Sequence, residues 1–154
     1  MFEIFKNLNE KSFVIAEIGS NHQGSVEIAL ELISEAKKNG ANAVKFQKRN
    51  NKNLFTDKLY NANYDNENSY GDTYGLHREA LEFNFDQFKI LKDYCIEQDI
   101  VFFSTAFDFD SIDFLMKLGV DLFKVASADL INTPLLKAIA KTDKTVILST
   151  GGGT

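Results

Sequence analysis

Two lysines, Lys45 and Lys124, lie inside short apolar runs, AVKFQ and DLFKVA. A charge is costly to bury there unless it is paired or bound to an anion. Polar side chains that bind anions or move protons recur at the ends of neighbouring apolar runs. Glu17 is followed by Ser20, Asn21 and His22, Gln47 stands two residues beyond Lys45, and Ser104 precedes Thr105. Ser127 and Asp129 follow Lys124, and Ser149 and Thr150 precede three glycines. The two lysines with Thr105, Ser127 and Ser149 would suit a small ligand carrying phosphate and carboxylate. The closing Ser-Thr-Gly-Gly-Gly-Thr adds backbone N–H groups able to cradle phosphate oxygens. Two other readings stay open. Each lysine could sit in an ion pair with Glu17 or another carboxylate, or one could form a Schiff base as class I aldolases do.

The elements that must carry these groups alternate along the chain. Strands are expected at 13–18, 43–47, 100–104, 121–126 and 145–149, from short runs of β-forming apolar residues. Helices are expected at 25–39, with Ser25 as N-cap and Gly40 as stop, at 86–98, at 111–118 and at 134–140. In the first, Ile28, Ala29, Leu32, Ile33 and Ala36 form the apolar stripe; in the second, Phe88, Leu91, Cys95 and Ile96 do. Thr133 or Asn132 would cap the last helix, with Pro134 in its first turn. The polar stretch 48–75 reads as a long active-site loop. Strand–helix alternation with short connections implies a parallel sheet, with strand C-termini meeting at one mouth. The spaced glycines of a dinucleotide fold are missing after the first strand, which favours a (β/α)₈ barrel over an open sheet. A complete barrel takes ~250 residues; the 154 residues here suffice for about its first five strands.

Composition narrows the function classes. With 44% hydrophobic and 25% charged residues, the chain reads as one globular domain. A net charge of −5 argues against nucleic acid or an anionic membrane as partner, so an anionic ligand must be held by a local basic cluster. The lone Cys95 excludes an intrachain disulfide and reads as a buried helix residue. The N-terminus lacks the apolar core of a signal peptide, and no run approaches a membrane span, so a cytoplasmic location is expected.

The same residues carry a family likeness. FVIAEIGSNHQG (13–24), AVKFQKR (43–49), YGLHRE (74–79), FSTAFD (103–108), FKVASAD (123–129) and VILSTG (146–151) resemble, in order, the sialic acid synthase family. The resemblance implies a TIM-barrel enzyme that condenses phosphoenolpyruvate with N-acetylmannosamine or a related N-acylated hexosamine, yielding a nonulosonic acid and phosphate. It implies that Lys45, Thr105, Lys124, Ser127 and Ser149 hold phosphoenolpyruvate, and that Glu17 and Gln47 face the sugar. Asp129 stands where many members have glutamate. A divalent metal, manganese or magnesium, is implied to polarise the sugar aldehyde, with histidine ligands in the second half of the barrel. His22 is expected to make a structural hydrogen bond, with substrate contact as the alternative, and His77 to support the long loop. The KFQKR stretch looks more like sialate or legionaminate synthases than pseudaminate synthases. Relatives of full length are implied to be homodimers through a C-terminal antifreeze-like domain. The chain is thus expected to be the N-terminal portion of a synthase and inactive alone; a self-associating, non-catalytic half barrel is the other expectation.

Overall fold

In the computed structural model, residues 12–153 are described. Five parallel strands, β1 (Ile15–Gly19), β2 (Ala43–Lys48), β3 (Val101–Ala106), β4 (Leu122–Val125) and β5 (Thr145–Leu148), pair in sequence order. Sequential parallel pairing through helical crossovers is the pattern of a barrel wall, and the fold is α/β of the TIM-barrel type.

Seven helices connect the strands. They are α1 (Val26–Lys38), α2 (Asn51–Leu54), α3 (Asp57–Tyr60), α4 (Tyr74–Ala80), α5 (Phe85–Glu97), α6 (Phe109–Leu118) and α7 (Thr133–Ala140). Local chemistry sets their ends. Ser25 Oγ caps α1 by accepting from Ile28 N, and Asn84 with Gln87 closes a capping box on α5. Gly119, at φ 76°, ends α6 in the left-handed conformation that glycine adopts without strain. Asn132, rather than Thr133, caps α7.

The helices cover one face of the sheet. Alternate strand residues Val44, Phe46, Phe123 and Val125 turn that way and pack with Ala29, Ile33, Phe88, Leu91, Leu115 and Leu135. The opposite face carries a smaller cluster, Ala43, Phe103 and Leu122, flanked by Phe13, Ile15, Val101 and Ile147. Period-2 alternation sorts the two sets, and a slip of one residue would exchange them.

Two expectations are corrected. The stretch 48–75 is not one irregular loop: it holds α2, α3 and the start of α4, with Asn63 bridging Thr73. One-turn helices carry too little periodicity to be read from sequence, and tertiary packing sustains them. Ile96 is 67% exposed and not on the buried face of α5. It lies about 100° round the helix from Cys95, beyond the stripe of Phe88, Leu91 and Cys95. No helix among the described residues is long and apolar enough to cross a membrane.

Candidate active site

The strand register aligns the polar residues before any side chain is considered. On the face away from the helices, Glu17 pairs with Lys45, Gln47 with Thr105, and Thr105 with Lys124. They form a staggered row across four strands, Glu17 and Lys45 at one level and Gln47, Thr105 and Lys124 two residues further toward the strand C-termini. A register shift between Glu17 and Gly19 marks a bulge where β1 reaches the row, a device common beside active sites.

Lys45 is 8% exposed and ion-paired to Glu17, while its Nζ donates to Thr105 Oγ1 at 3.2 Å. For this lysine the ion-pair reading holds. Lys124 differs. Its Nζ donates to Ser149 Oγ at 2.6 Å and to the Val125 carbonyl at 2.5 Å. Among the described residues, no carboxylate lies within ion-pair distance of it. Burial lowers the Lys124 pKa, nearby Lys45 lowers it further, and Glu17 works the other way. An anion delivered to this point would meet two adjacent cations and two hydroxyls.

The remaining residues flank this centre. Ser149 N donates to Val125 O at 3.1 Å, which ties the end of β5 to β4. Ser127 begins a 3₁₀ turn, Ser127–Asp129, and lies beside the glycine segment: a β-carbon on Gly151 would stand 3.9 Å from Ser127 Oγ. On the other flank, a β-carbon on Gly19 would stand 3.0 Å from Glu17 Oε1 and 3.4 Å from Gln47 Nε2. Those two groups are therefore neighbours across the bulge. Asp129 is not brought into the row; its Oδ1 accepts from Asn132 Nδ2 at 3.1 Å at the head of α7.

Both histidines are structural. His22 is 3% exposed, stacks on Phe83 at 4.1 Å and accepts from Gly24 N through Nδ1 at 3.1 Å. Burial pushes its pKa down to about 4, against a smaller opposing effect of the Gly19 backbone hydrogen bond. His77 accepts from Tyr70 N at 3.2 Å and packs against Tyr64, and burial lowers its pKa. Among the described residues, no group of three or more His, Cys, Asp or Glu is placed to hold a metal ion. The described residues by themselves thus supply no such group for the divalent metal that the resemblance implies. Cys95 is buried, and burial pushes its thiol up to about 12, which makes it inert.

Two residues unremarked in the sequence belong to this region. Arg49 Nη2 donates to Gln47 Oε1 at 2.5 Å, and its guanidinium lies 3.9 Å over the Phe107 ring. Glu82 accepts from Lys48 Nζ at 3.0 Å and from Arg49 N at 3.2 Å, pinning the α4–α5 connection to the end of β2. The available signal for Arg49 was its i+2 spacing from Gln47.

Comparison with known proteins places the chain in a family. The N-acetylneuraminate-9-phosphate synthase of Drosophila melanogaster is 42% identical over 144 residues, covering 94% of this chain and 39% of its own length. The N,N'-diacetyllegionaminic acid synthase of Campylobacter jejuni is 39% identical over 92% of this chain and 43% of its own. The chain thus spans about two-fifths of the curated relatives it matches. The crystal structure of N-acetylneuraminic acid synthetase from Leptospira borgpetersenii superposes with a TM-score of 0.78 at 34% identity, over 95% of this chain and 47% of that one. The model of the NeuB family matches residues 32–154, a stretch that includes Lys45, Thr105, Lys124 and Ser149. With sequence and fold in agreement, the chain belongs to the NeuB family, that of the sialic acid synthases.

Proposed function

We propose that this chain supplies the phosphoenolpyruvate-binding part of a nonulosonic acid synthase, which joins phosphoenolpyruvate to an N-acylated hexosamine of the N-acetylmannosamine type. The observation that carries the reading is Lys124, which has hydroxyl and carbonyl partners, no paired carboxylate among the described residues, and a second lysine nearby. A phosphate or carboxylate would complete its charge balance. Lys45, Thr105, Ser127 and Ser149 are the further holders, and Glu17 and Gln47 the sugar-side groups.

In the reaction, the methylene carbon of phosphoenolpyruvate forms a bond to the aldehyde carbon of the open-chain sugar. Water adds to the resulting cationic C2, and the tetrahedral intermediate expels inorganic phosphate to leave a ketone. Electrostatic stabilisation by fixed cations is the usual large contribution to such steps. Lys45 and Lys124 keep phosphate and carboxylate in place and offset the charge that gathers on the departing phosphate. The divalent cation implied by the resemblance would draw its ligands from outside the described residues.

One observation favours a second reading. A lysine with a lowered pKa is easier to deprotonate, as imine chemistry requires. Borohydride reduction in the presence of pyruvate separates the two. The synthase reading expects no mass adduct on Lys124, together with phosphate release from phosphoenolpyruvate that depends on the sugar in the synthase of which this chain is part. A trapped pyruvyl lysine would establish the aldolase instead.

A further inference from the structure

The sugar side of the row depends on Gln47, and an amide side chain can present either oxygen or nitrogen. Which end faces the ligand decides what that ligand must offer. Arg49 removes the ambiguity. A guanidinium has donors only, so its bond at 2.5 Å can be made only to the oxygen of Gln47. The nitrogen must then face the other way, and it does: Gln47 Nε2 lies toward Gly19 and Glu17.

Arg49 is itself largely buried and packed in place, although its Nη1 has no hydrogen-bond partner. Its side chain is 12% exposed, its guanidinium is stacked on Phe107 at 3.9 Å, and Nη1 stands 3.9 Å from Glu82 Oε1. Glu82 is in turn fixed by Lys48 at 3.0 Å. The order of support runs from Lys48 through Glu82 and Arg49 to the amide of Gln47. Burial lowers the Arg49 pKa to about 10, which still leaves it charged at neutral pH.

We infer that Arg49 is a positioning residue for acceptor-sugar recognition: it locks Gln47 as a hydrogen-bond donor, so this point of the site selects a lone-pair oxygen on the sugar. Glu17 Oε1 beside it is an acceptor, so the pair reads one acceptor and one donor on the same ligand. The inference rests on the synthase reading and adds to it the polarity of the sugar subsite.

The test is steady-state kinetics on the synthase of which this chain is part, with phosphoenolpyruvate and N-acetylmannosamine, alongside thermal unfolding. Arg49→Met should raise the sugar KM about tenfold, the worth of one well-placed hydrogen bond. The KM for phosphoenolpyruvate should move less than about twofold. Arg49→Lys, which keeps a donor but loses the stacked fork, should recover part of the loss. In a Gln47→Ala background the Arg49→Met change should leave the sugar KM unaltered, because nothing remains to be oriented. Equal rises in both KM values, or an undiminished Arg49 effect without Gln47, would show a merely structural arginine and overturn the inference. Absence of any sugar-dependent phosphate release in the unmutated synthase of which this chain is part would instead remove the synthase reading, and this inference with it.

Discussion

Replacing Lys124 by methionine should separate ligand binding from stability, with effects of opposite sign. In the folded chain its Nζ donates to Ser149 Oγ and to the Val125 carbonyl, and it would add charge-assisted bonds to a bound anion. A hydrogen bond to a charged group is worth about 1.5–3 kcal/mol. Its loss should therefore raise the Kd for phosphoenolpyruvate roughly 10- to 150-fold. Without ligand the balance reverses. Burial and Lys45 hold the folded pKa of Lys124 below its ordinary value of 10.5. Between those two values the unfolded chain binds more protons, so stability rises with pH across that window. Below it, at neutral pH, the folded state carries the full cost of keeping this ammonium charged. Methionine fills much of the same volume without the charge. Lys124→Met should thus leave the unliganded Tm at pH 7 unchanged or higher. Titration calorimetry with phosphoenolpyruvate and thermal unfolding read the two effects on the same samples. Near-normal phosphoenolpyruvate affinity in the variant would refute the anion site. A Tm lowered by more than about 4 °C, on the order of 1 kcal/mol for a domain of this size, would refute the view that Lys124 is held at a cost.

Other perturbations address the rest of the chain. Glu17→Gln leaves Lys45 buried without its counter-charge and should cost about 1–2 kcal/mol in urea unfolding; added inorganic phosphate should restore more stability to the variant than to the parent. His22 is neutral down to about 4 when folded but has an ordinary value of 6.5, so its contribution is complete above pH 6.5 and is lost as pH falls toward 4. That loss amounts to up to about 3 kcal/mol, and His22→Phe should flatten this part of the urea-midpoint profile; an imidazole signal titrating near its ordinary value would exclude the effect. Gly75→Ala would bring a β-carbon within 2.5 Å of the Tyr60 ring. The variant should loosen α3 from α4 and expose 56–72 to limited proteolysis, whereas an unaltered digestion pattern would mean that the segment is not packed as described.

Legibility in the sequence followed the strength of the local code. The strands and long helices were readable within a few residues because period-2 and period-3.6 patterns are continuous there, and Ser25 acts as the expected cap. The polar residues at strand ends were readable because charge inside an apolar run is conspicuous, and seven of the eight candidates come to the row or its flanks. Asp129 does not, since a 3₁₀ turn directs it to Asn132; three-residue turns leave no periodic trace. Nor could spacing tell which lysine is paired. Glu17 meets Lys45 because the strands carrying them are neighbours in register, a fact of pairing rather than of composition. The chain from Lys48 to Arg49 through Glu82 was invisible for the same reason: its members are 33 or 34 residues apart.

Register also explains why fold and site are so closely bound together. On the helix-covered face, the same strands that carry Lys45, Thr105 and Lys124 bury Val44, Phe46, Phe123 and Val125. Any one-residue slip would drive lysines into that core and turn phenylalanines outward, at a cost of several kcal/mol per exchanged pair. The apolar face therefore enforces the geometry of the polar one. Below the row, only Ala43, Phe103 and Leu122 among the described residues are buried in the sheet's own cluster, which supplies little stabilisation by itself. The energy that keeps two cations beside each other comes from the far side of the sheet, where helices and strands interlock. A mutation in that core, such as Phe46→Ala, should therefore weaken anion binding without touching a single polar group of the site.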